Sequence, residues 1–177
     1  MSTKNEIASG LTAAQARELL RYDRDTGKLF YRRDIYVGRP GRIFRKEGDE
    51  AGCLIPSGYI VICIDYVHFR AHRLAWLIET GDWPTHEIDH RDMDRSNNRW
   101  ANLREATGVQ NRANSKKRAK SGFKGVITPK HAPNCFVAQI SVEGKPVYLG
   151  TFRSPEEAHA AYLEAAIRHH GEFARAE

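Results

Sequence analysis

The feature that most constrains this chain is a polar stretch, IDHRDMDRSNNRWANLREATGVQN, which runs from Ile88 to Asn111. It begins with a carboxylate beside a histidine, ends with an asparagine and contains few apolar residues. The pattern predicts a strand, a long polar loop, a second strand in NLREAT and then a helix capped jointly by Thr107 and Gln110. A hairpin followed by a helix would return Asn111 to the side of Asp89, so the stretch predicts a site.

The residue types at this predicted site indicate hydrolytic chemistry at a metal. Asp89 and Asn111 would supply one charged and one neutral oxygen, with His90 beside them. Hard oxygen ligands that leave room for water suit Mg²⁺ or Mn²⁺, and a histidine can take a proton from water. A calcium loop starting at Asp94 is the competing interpretation. We reject it because the position that needs glycine for the sharp turn holds Arg99.

The same stretch resembles the HNH nuclease motif, in the form common in phage and intron-encoded endonucleases. The resemblance covers about residues 52–114 and includes the upstream words AHRLAW and GDWP. It implies a ββα-metal (His-Me finger) fold, with Asp89 and Asn111 as metal ligands and His90 as the general base. It also implies that Asn102, in ANLR, holds the long loop by hydrogen bonds to the backbone. The last motif position is asparagine instead of histidine, which favours a hard metal over zinc.

The segments before this stretch predict short elements. LTAAQARELL predicts a helix with a capping box between Thr12 and Gln15. KLFYRR predicts a strand, and residues 34–50 predict a loop. GYIVICIDYVHF predicts a hairpin that turns near Asp65, and RAHRLAWLIETG predicts a helix that ends at Gly81.

Two residues at the start of that last helix have an open interpretation. His72 and Arg73 could contact a phosphate, and a structural role is at least as consistent with their position.

The C-terminal third predicts a small sheet with one helix. GVITP, CFVAQISV and KPVYLGTF are three strand-like runs separated by turn residues. The helix that follows begins with Ser154, Pro155 and Glu157, a capping residue, a first-turn proline and the partner of a capping box. We therefore expect three antiparallel strands with the helix packed across them.

This C-terminal segment resembles the Apetala-two, or ethylene-response-factor, DNA-binding domain in the words KGV, VAQI, YLGTF and EEAHAAY. The resemblance implies a sheet that lies on the major groove. Gln139 and Ser141 replace the family's usual Glu and Arg, so its base preference does not carry over. For Phe136, a core position and a DNA contact are equally consistent with strand alternation. The expected DNA contacts are Arg112, Lys116, Lys117, Arg118, Lys120, Lys124, Lys130, Phe136 and Tyr148.

Charge and composition limit the kinds of partner that the chain can have. The formal net charge of +6 and a pI near 9.3 favour polyanions. No apolar run is long enough to cross a bilayer, and MSTKNEIASG lacks the apolar core of a secretory signal. Three cysteines without a pairing pattern favour a reducing cytoplasm.

Together these observations predict an α+β protein with a ββα-metal nuclease module and a small three-stranded antiparallel sheet with one packed helix. The expected regions are an N-terminal helix and strand region, 1–50; the HNH module, 51–115; a basic linker, 116–120; and an Apetala-two-like domain, 121–177. We expect a phage- or mobile-element-encoded, cytoplasmic endonuclease that cleaves double-stranded DNA, with Mg²⁺ or Mn²⁺ as its only cofactor. Oligomeric state, target sequence and nicking against double-strand cleavage stay open. The alternatives are a DNA-binding regulator with an inactive HNH fold and an RNA-binding accessory protein, although no RNA-recognition motif is present.

Overall fold

A computed structural model divides the chain into two compact units, Met1–Glu105 and Ala106–Glu177. The residues that it describes are 10–36, 43–114, 121–142 and 144–174. The division differs from the expected boundaries, which separate an N-terminal region at residue 50 and a C-terminal domain at residue 121. The mixture of helices and small antiparallel sheets confirms the expected α+β class at that coarse level.

The described residues of the first unit form four small sheets and two helices. The ladders are β1–β2, β3–β4 and β5–β6–β7, and β8 pairs with β9. The elements are α1 (Ala13–Leu19), β1 (Leu20–Tyr22), β2 (Leu29–Tyr31), β3 (Ile35–Tyr36), β4 (Ile43–Arg45), β5 (Cys53–Leu54), β6 (Ile60–Ile64), β7 (Val67–Arg70), α2 (Ala71–Thr80), β8 (Glu87–His90), a 3₁₀ turn (Trp100–Asn102) and β9 (Leu103–Ala106).

Local sequence signals fix several of these boundaries. The hydroxyl of Thr12 accepts from the Gln15 amide while the Gln15 side chain accepts from the Thr12 amide, which confirms the predicted capping box. The β6–β7 hairpin turns at Asp65 and Tyr66, which both have positive φ. Helix α2 ends at Gly81 in the left-handed conformation, as predicted.

The expected loop at residues 34–50 contains more structure than its composition suggests. Strands β3 and β4 pair as an antiparallel ladder within it. Each is only two or three residues long, and the pairing is irregular between Ile35 and Tyr36. Ladders this short carry almost no periodicity, so the sequence pattern does not reveal them.

One hydrophobic core joins the N-terminal region to the segment that resembles an HNH module. Leu20 and Leu29 of the β1–β2 hairpin pack in the same cluster as Ile62, Leu74 and Ile88. The N-terminal region is therefore part of the first unit rather than a module of its own.

The second unit matches the predicted arrangement of three strands and a helix. Strand β11 (Phe136–Val142) pairs on both sides with antiparallel partners. Helix α4 (Pro155–His170) begins after the Ser154 cap and packs on the sheet through Ala158, Tyr162 and Ala166. The elements are α3 (Gly108–Asn114), β10 (Val126–Ile127), β11 (Phe136–Val142), β12 (Lys145–Phe152), α4 (Pro155–His170) and a 3₁₀ turn (Gly171–Phe173).

None of the helices in the described ranges combines the length and the apolar character that spanning a membrane requires. The three cysteines, Cys53, Cys63 and Cys135, are free thiols.

Candidate active site

Strand β8 places two of the three predicted site residues of the first unit, Asp89 and His90, in its interior. Asp89 and His90 are 5% and 4% exposed, and Ile88 before them packs in the core. A charged carboxylate at this depth has to be compensated by a charge partner or hydrogen bonds. The partners of Asp89 and His90 therefore define the site.

Arg104 of β9 is the charge partner of Asp89. Its Nε and one terminal nitrogen both lie 2.9 Å from Oδ2 of Asp89, and both side chains are less than a tenth exposed. Two donors converging on one carboxylate oxygen fix the rotation of that side chain. The guanidinium also balances the carboxylate charge.

His90 is held by Asn98, which lies in the long loop. Nε2 of His90 is 3.0 Å from Oδ1 of Asn98, and a carbonyl oxygen can only accept. His90 therefore donates through Nε2, and in the neutral imidazole the lone pair is on Nδ1. Burial lowers the pKa of His90, while the hydrogen bond to Asn98 and nearby carboxylates act in the opposite direction. The ring is consequently neutral at pH 7 and able to accept a proton.

Asn102 ties together the two ends of the loop that follows His90. Its Nδ2 donates to Oδ1 of Asp92 at 2.9 Å and to the carbonyl of Asn97 at 2.7 Å. Its Oδ1 accepts from the backbone amide of Asp92 at 3.0 Å, and its own carbonyl accepts from the amide of Arg91. One amide side chain thus contacts both limbs of the loop.

Aromatic rings pack around His90. His72 packs edge-on against His90, with ring centroids 5.0 Å apart, and Tyr59 contacts both rings. The guanidinium groups of Arg70 and Arg95 lie 4.3 and 4.9 Å from the centroid of the Tyr59 ring. Burial lowers the pKa of His72 well below 6.5, with further lowering by His90 and neighbouring arginines. His72 is therefore a neutral packing partner.

The burial of His72 and Arg73 favours a structural role for both residues over a phosphate contact. Each is 3% exposed, and Arg73 lies over the ring of Trp83 at 5.7 Å. Side chains this deep are not available to a phosphate at the surface, so the structure supports the structural role.

Helix α3 carries two of the predicted site residues of the second unit. Asn111 is half-buried and Arg112 exposed on α3, whose capping box between Thr107 and Gln110 forms as predicted. Asn111 belongs to the second unit and Asp89 to the first, so their pairing at a metal stays a prediction.

Two of the residues expected to contact DNA, Phe136 and Lys124, have side chains that are partly or largely buried. Phe136 packs against the cluster of Val126, Ala138 and Ala158, because the side of β11 that carries it is the side covered by α4. Lys124 is 8% exposed, and its carbonyl accepts a hydrogen bond from Nδ1 of His159. A DNA contact by either residue stays a prediction, and the burial favours a structural role.

The open side of the sheet presents other side chains. Tyr148 is 66% exposed, pairs across the ladder with Gln139, and its hydroxyl lies 2.8 Å from that of Thr151. Lys130 is also exposed. The predicted contacts Lys116, Lys117, Arg118 and Lys120 lie outside the described residues.

Two residues that the sequence did not single out, Asn98 and Arg104, hold the site together. An acidic residue and a basic residue on facing strands of a predicted hairpin are a known pairing signal, so Asp89 and Arg104 could have been connected. Asn98 has no such signal, because it is one of two adjacent asparagines in SNNR.

Comparison with known proteins gives a match over the same segment. Residues 69–113 match a family model described as HNH endonuclease, which is about a quarter of the chain. The match spans Asp89, His90, Asn98, Arg104 and Asn111 and supports an HNH nuclease. Comparison with curated proteins gives no match.

One solved structure, of DNA binding and cleavage by the HNH homing endonuclease I-HmuI, is similar at 18% identity with a TM-score of 0.37. The alignment covers 85% of this chain and 84% of that chain. A likeness of this strength is too weak for comparing the folds element by element.

Proposed function

We propose that the chain is a metal-dependent endonuclease that hydrolyses phosphodiester bonds of double-stranded DNA. The observation that carries the proposal is the neutral His90, which donates through Nε2 to Asn98 and stands next to Asp89, within the segment that matches the HNH model. A buried base with its tautomer set by a fixed partner is the arrangement that general-base catalysis requires.

In the proposed reaction His90 takes a proton from a water molecule at Nδ1. The water oxygen forms a bond to phosphorus, the bond from phosphorus to the 3′ oxygen breaks, and the departing 3′ oxygen takes a proton from solvent. By resemblance to the HNH family the products are 5′-phosphate and 3′-hydroxyl ends. Asn98 keeps the lone pair of His90 on Nδ1, and Asn102 maintains the loop that carries Asn98.

The residues are compatible with a hard divalent cation. Among the described residues no group of three or more His, Cys, Asp and Glu side chains forms a metal cluster. Mg²⁺ is often bound by one or two carboxylates together with substrate phosphates, and a site with one carboxylate fits this pattern. We assign the ligands to Asp89 and Asn111. When bound, Mg²⁺ or Mn²⁺ would stabilise negative charge on the phosphate and the departing oxygen.

DNA targeting is assigned to the second unit and the basic linker. The net charge of +6 supports a polyanionic partner. Tyr148, Lys130 and Arg112 are exposed, and we propose them as contacts together with the linker residues Lys116, Lys117, Arg118 and Lys120. A homing role and a phage or mobile-element origin rest on the family resemblance.

The test is nicking and linearisation of supercoiled plasmid with Mg²⁺ or Mn²⁺, using the wild type, His90→Ala and the control His68→Ala, which removes an exposed histidine of β7. We expect His90→Ala to lose about a hundredfold to ten-thousandfold in rate while His68→Ala retains activity. DNA affinity, measured with EDTA, should be retained in both variants. A wild type that binds DNA without cleaving it would instead indicate a DNA-binding regulator.

A further inference from the structure

The hairpin formed by β1, the turn at residues 23–28 and β2, named here the N-terminal hairpin, packs against the loop that carries Asn98. Three hydrogen bonds join the hairpin to this loop, and two of them involve backbone atoms of the loop. They run from Tyr22 Oη to Asn98 O at 2.6 Å, from Arg99 Nε to Asp25 O at 2.8 Å and from Trp100 N to Arg24 O at 3.0 Å.

Gly27 makes the closest approach of the two segments. A Cβ atom at this position would lie 2.4 Å from the carbonyl carbon of Asn98 and 2.4 Å from the amide nitrogen of Arg99. These are backbone atoms, which cannot rotate away as a flexible side chain would. The backbone of Gly27 is therefore in direct contact with the backbone at Asn98, and no larger residue fits without displacing it.

The turn that presents Gly27 is itself rigidly held. The carboxylate of Asp23 accepts from the amides of Asp25 and Thr26, and the Asp23 carbonyl accepts from the Gly27 amide at 2.8 Å. The hydrogen bond from Thr26 is the main reason that the pKa of Asp23 is lowered. A turn with this many internal hydrogen bonds can fix the position of what packs against it.

Asn98 transmits that position to the proposed base. It is 1% exposed, and its Oδ1 accepts from Nε2 of His90. Its Nδ2 has no hydrogen-bond partner among the described residues. The location of the amide is therefore set by the backbone of Asn98, which is what Tyr22 and Gly27 contact.

We infer that the N-terminal hairpin is a positioning element of the active site, in which Tyr22 and Gly27 place Asn98 and through it His90. This inference rests on the proposed nuclease function for its catalytic consequence. It assigns Tyr22, Gly27 and Asn98 as positioning residues, and it gives the N-terminal region a role beyond its contribution to the core.

The magnitude follows from the contact at Gly27. Ordinary contact begins at 3.4 Å, so a methyl group at 2.4 Å forces a displacement of about 1 Å. A misplacement of about 1 Å near a reacting centre can reduce the rate about a hundredfold. Removing only the Tyr22 hydroxyl leaves the ring in place and removes one buried hydrogen bond, for which we expect a loss of about tenfold.

The experiment compares two pairs of matched variants in the full-length chain. Gly27→Ala is paired with Gly48→Ala, because both glycines have positive φ but nothing lies within 4 Å of a Cβ at Gly48. Tyr22→Phe is paired with Tyr31→Phe, which makes the same change on the other strand of the hairpin. Plasmid cleavage gives kcat and KM. The ring signals of His90, assigned by their loss in His90→Ala, are followed by ¹⁵N-histidine NMR without metal or DNA.

The expected result is a fall in kcat with KM unchanged, and shifted ring signals of His90, for Gly27→Ala and Tyr22→Phe but for neither control. Unchanged ring signals in Tyr22→Phe and in any folded Gly27→Ala would overturn the inference. Equal changes in the controls would overturn it too, since these would reflect general destabilisation. If the wild type cleaves no DNA, the proposed function fails, and the ring signals still decide whether the hairpin positions His90.

Discussion

Replacing Arg104 with methionine is expected to lower the free energy of unfolding of the first unit by about 3–5 kcal/mol, the cost of removing one partner from a buried ion pair. The guanidinium places two donors 2.9 Å from one oxygen of Asp89, and the side chains are 7% and 6% exposed. Water cannot replace these donors at that depth. The carboxylate would remain in the interior without its compensating charge.

The matched control is Lys28→Met, which breaks an ion pair of the same kind at the surface. Lys28 Nζ lies 2.7 Å from Glu50, yet both side chains are 49% exposed. Because solvent screens this pair, its loss should cost about 0–1 kcal/mol. Because the N–O distances of the two ion pairs are nearly equal, the difference in stability between the two variants reports the effect of burial.

The assay is equilibrium unfolding in urea followed by tryptophan fluorescence. All three tryptophans, Trp76, Trp83 and Trp100, lie in the first unit, so the signal reports that unit. With a urea dependence of roughly 2 kcal/mol per molar, the midpoint of Arg104→Met should fall by about 2 M. The double variant Asp89→Leu/Arg104→Met should recover most of the loss, because it removes both buried charges. A cost for Arg104→Met no larger than that of Lys28→Met would refute this account of the pair.

Three further predictions concern the loop, the histidines and the linker. Asn102→Ala should lower the free energy of unfolding by about 1–3 kcal/mol and slow cleavage, because three side-chain hydrogen bonds of the loop are lost; normal melting and normal cleavage together would contradict it. Since burial lowers the pKa of His72 and His90, the folded unit binds fewer protons than the unfolded chain. Stability should be retained above about pH 7 and decrease as pH falls through about 6.5, by at most ~1.4 kcal/mol per pH unit for each histidine. Urea unfolding at pH 7.5 and 5.5 measures this decrease, which should be smaller in His72→Phe than in the wild type. Glutamine at the four basic residues of the 116–120 linker should make the slope of log affinity against log salt shallower by about 0.9 per lost phosphate contact; an unchanged slope in DNA titrations would exclude the linker from binding.

The sequence by itself determined the features that depend on neighbouring residues. The capping boxes at Thr12 and Thr107 form where they are predicted, as do the turn at Asp65 and the helix end at Gly81. Ser154 caps its helix as predicted, but Glu157 accepts from the amide of Arg153 and does not complete a capping box. Each depends on a hydrogen bond or a backbone angle within a few residues, so short patterns contain the information. The spacing of the Asp-His pair and the asparagines likewise located the segment that matches the HNH model.

Only the tertiary structure decided which side chains meet over long separations. Tyr22 and Asn98 are 76 residues apart, and Arg104 reaches Asp89 across 15. The face of a strand that is covered also depends on what packs there, which is why Phe136 packs against the core and Tyr148 is exposed. Alternation in a strand separates two faces without saying which one a helix will bury. The partners of Asp89 and His90, and the contact of the N-terminal hairpin with Asn98, follow from packing that no local pattern encodes.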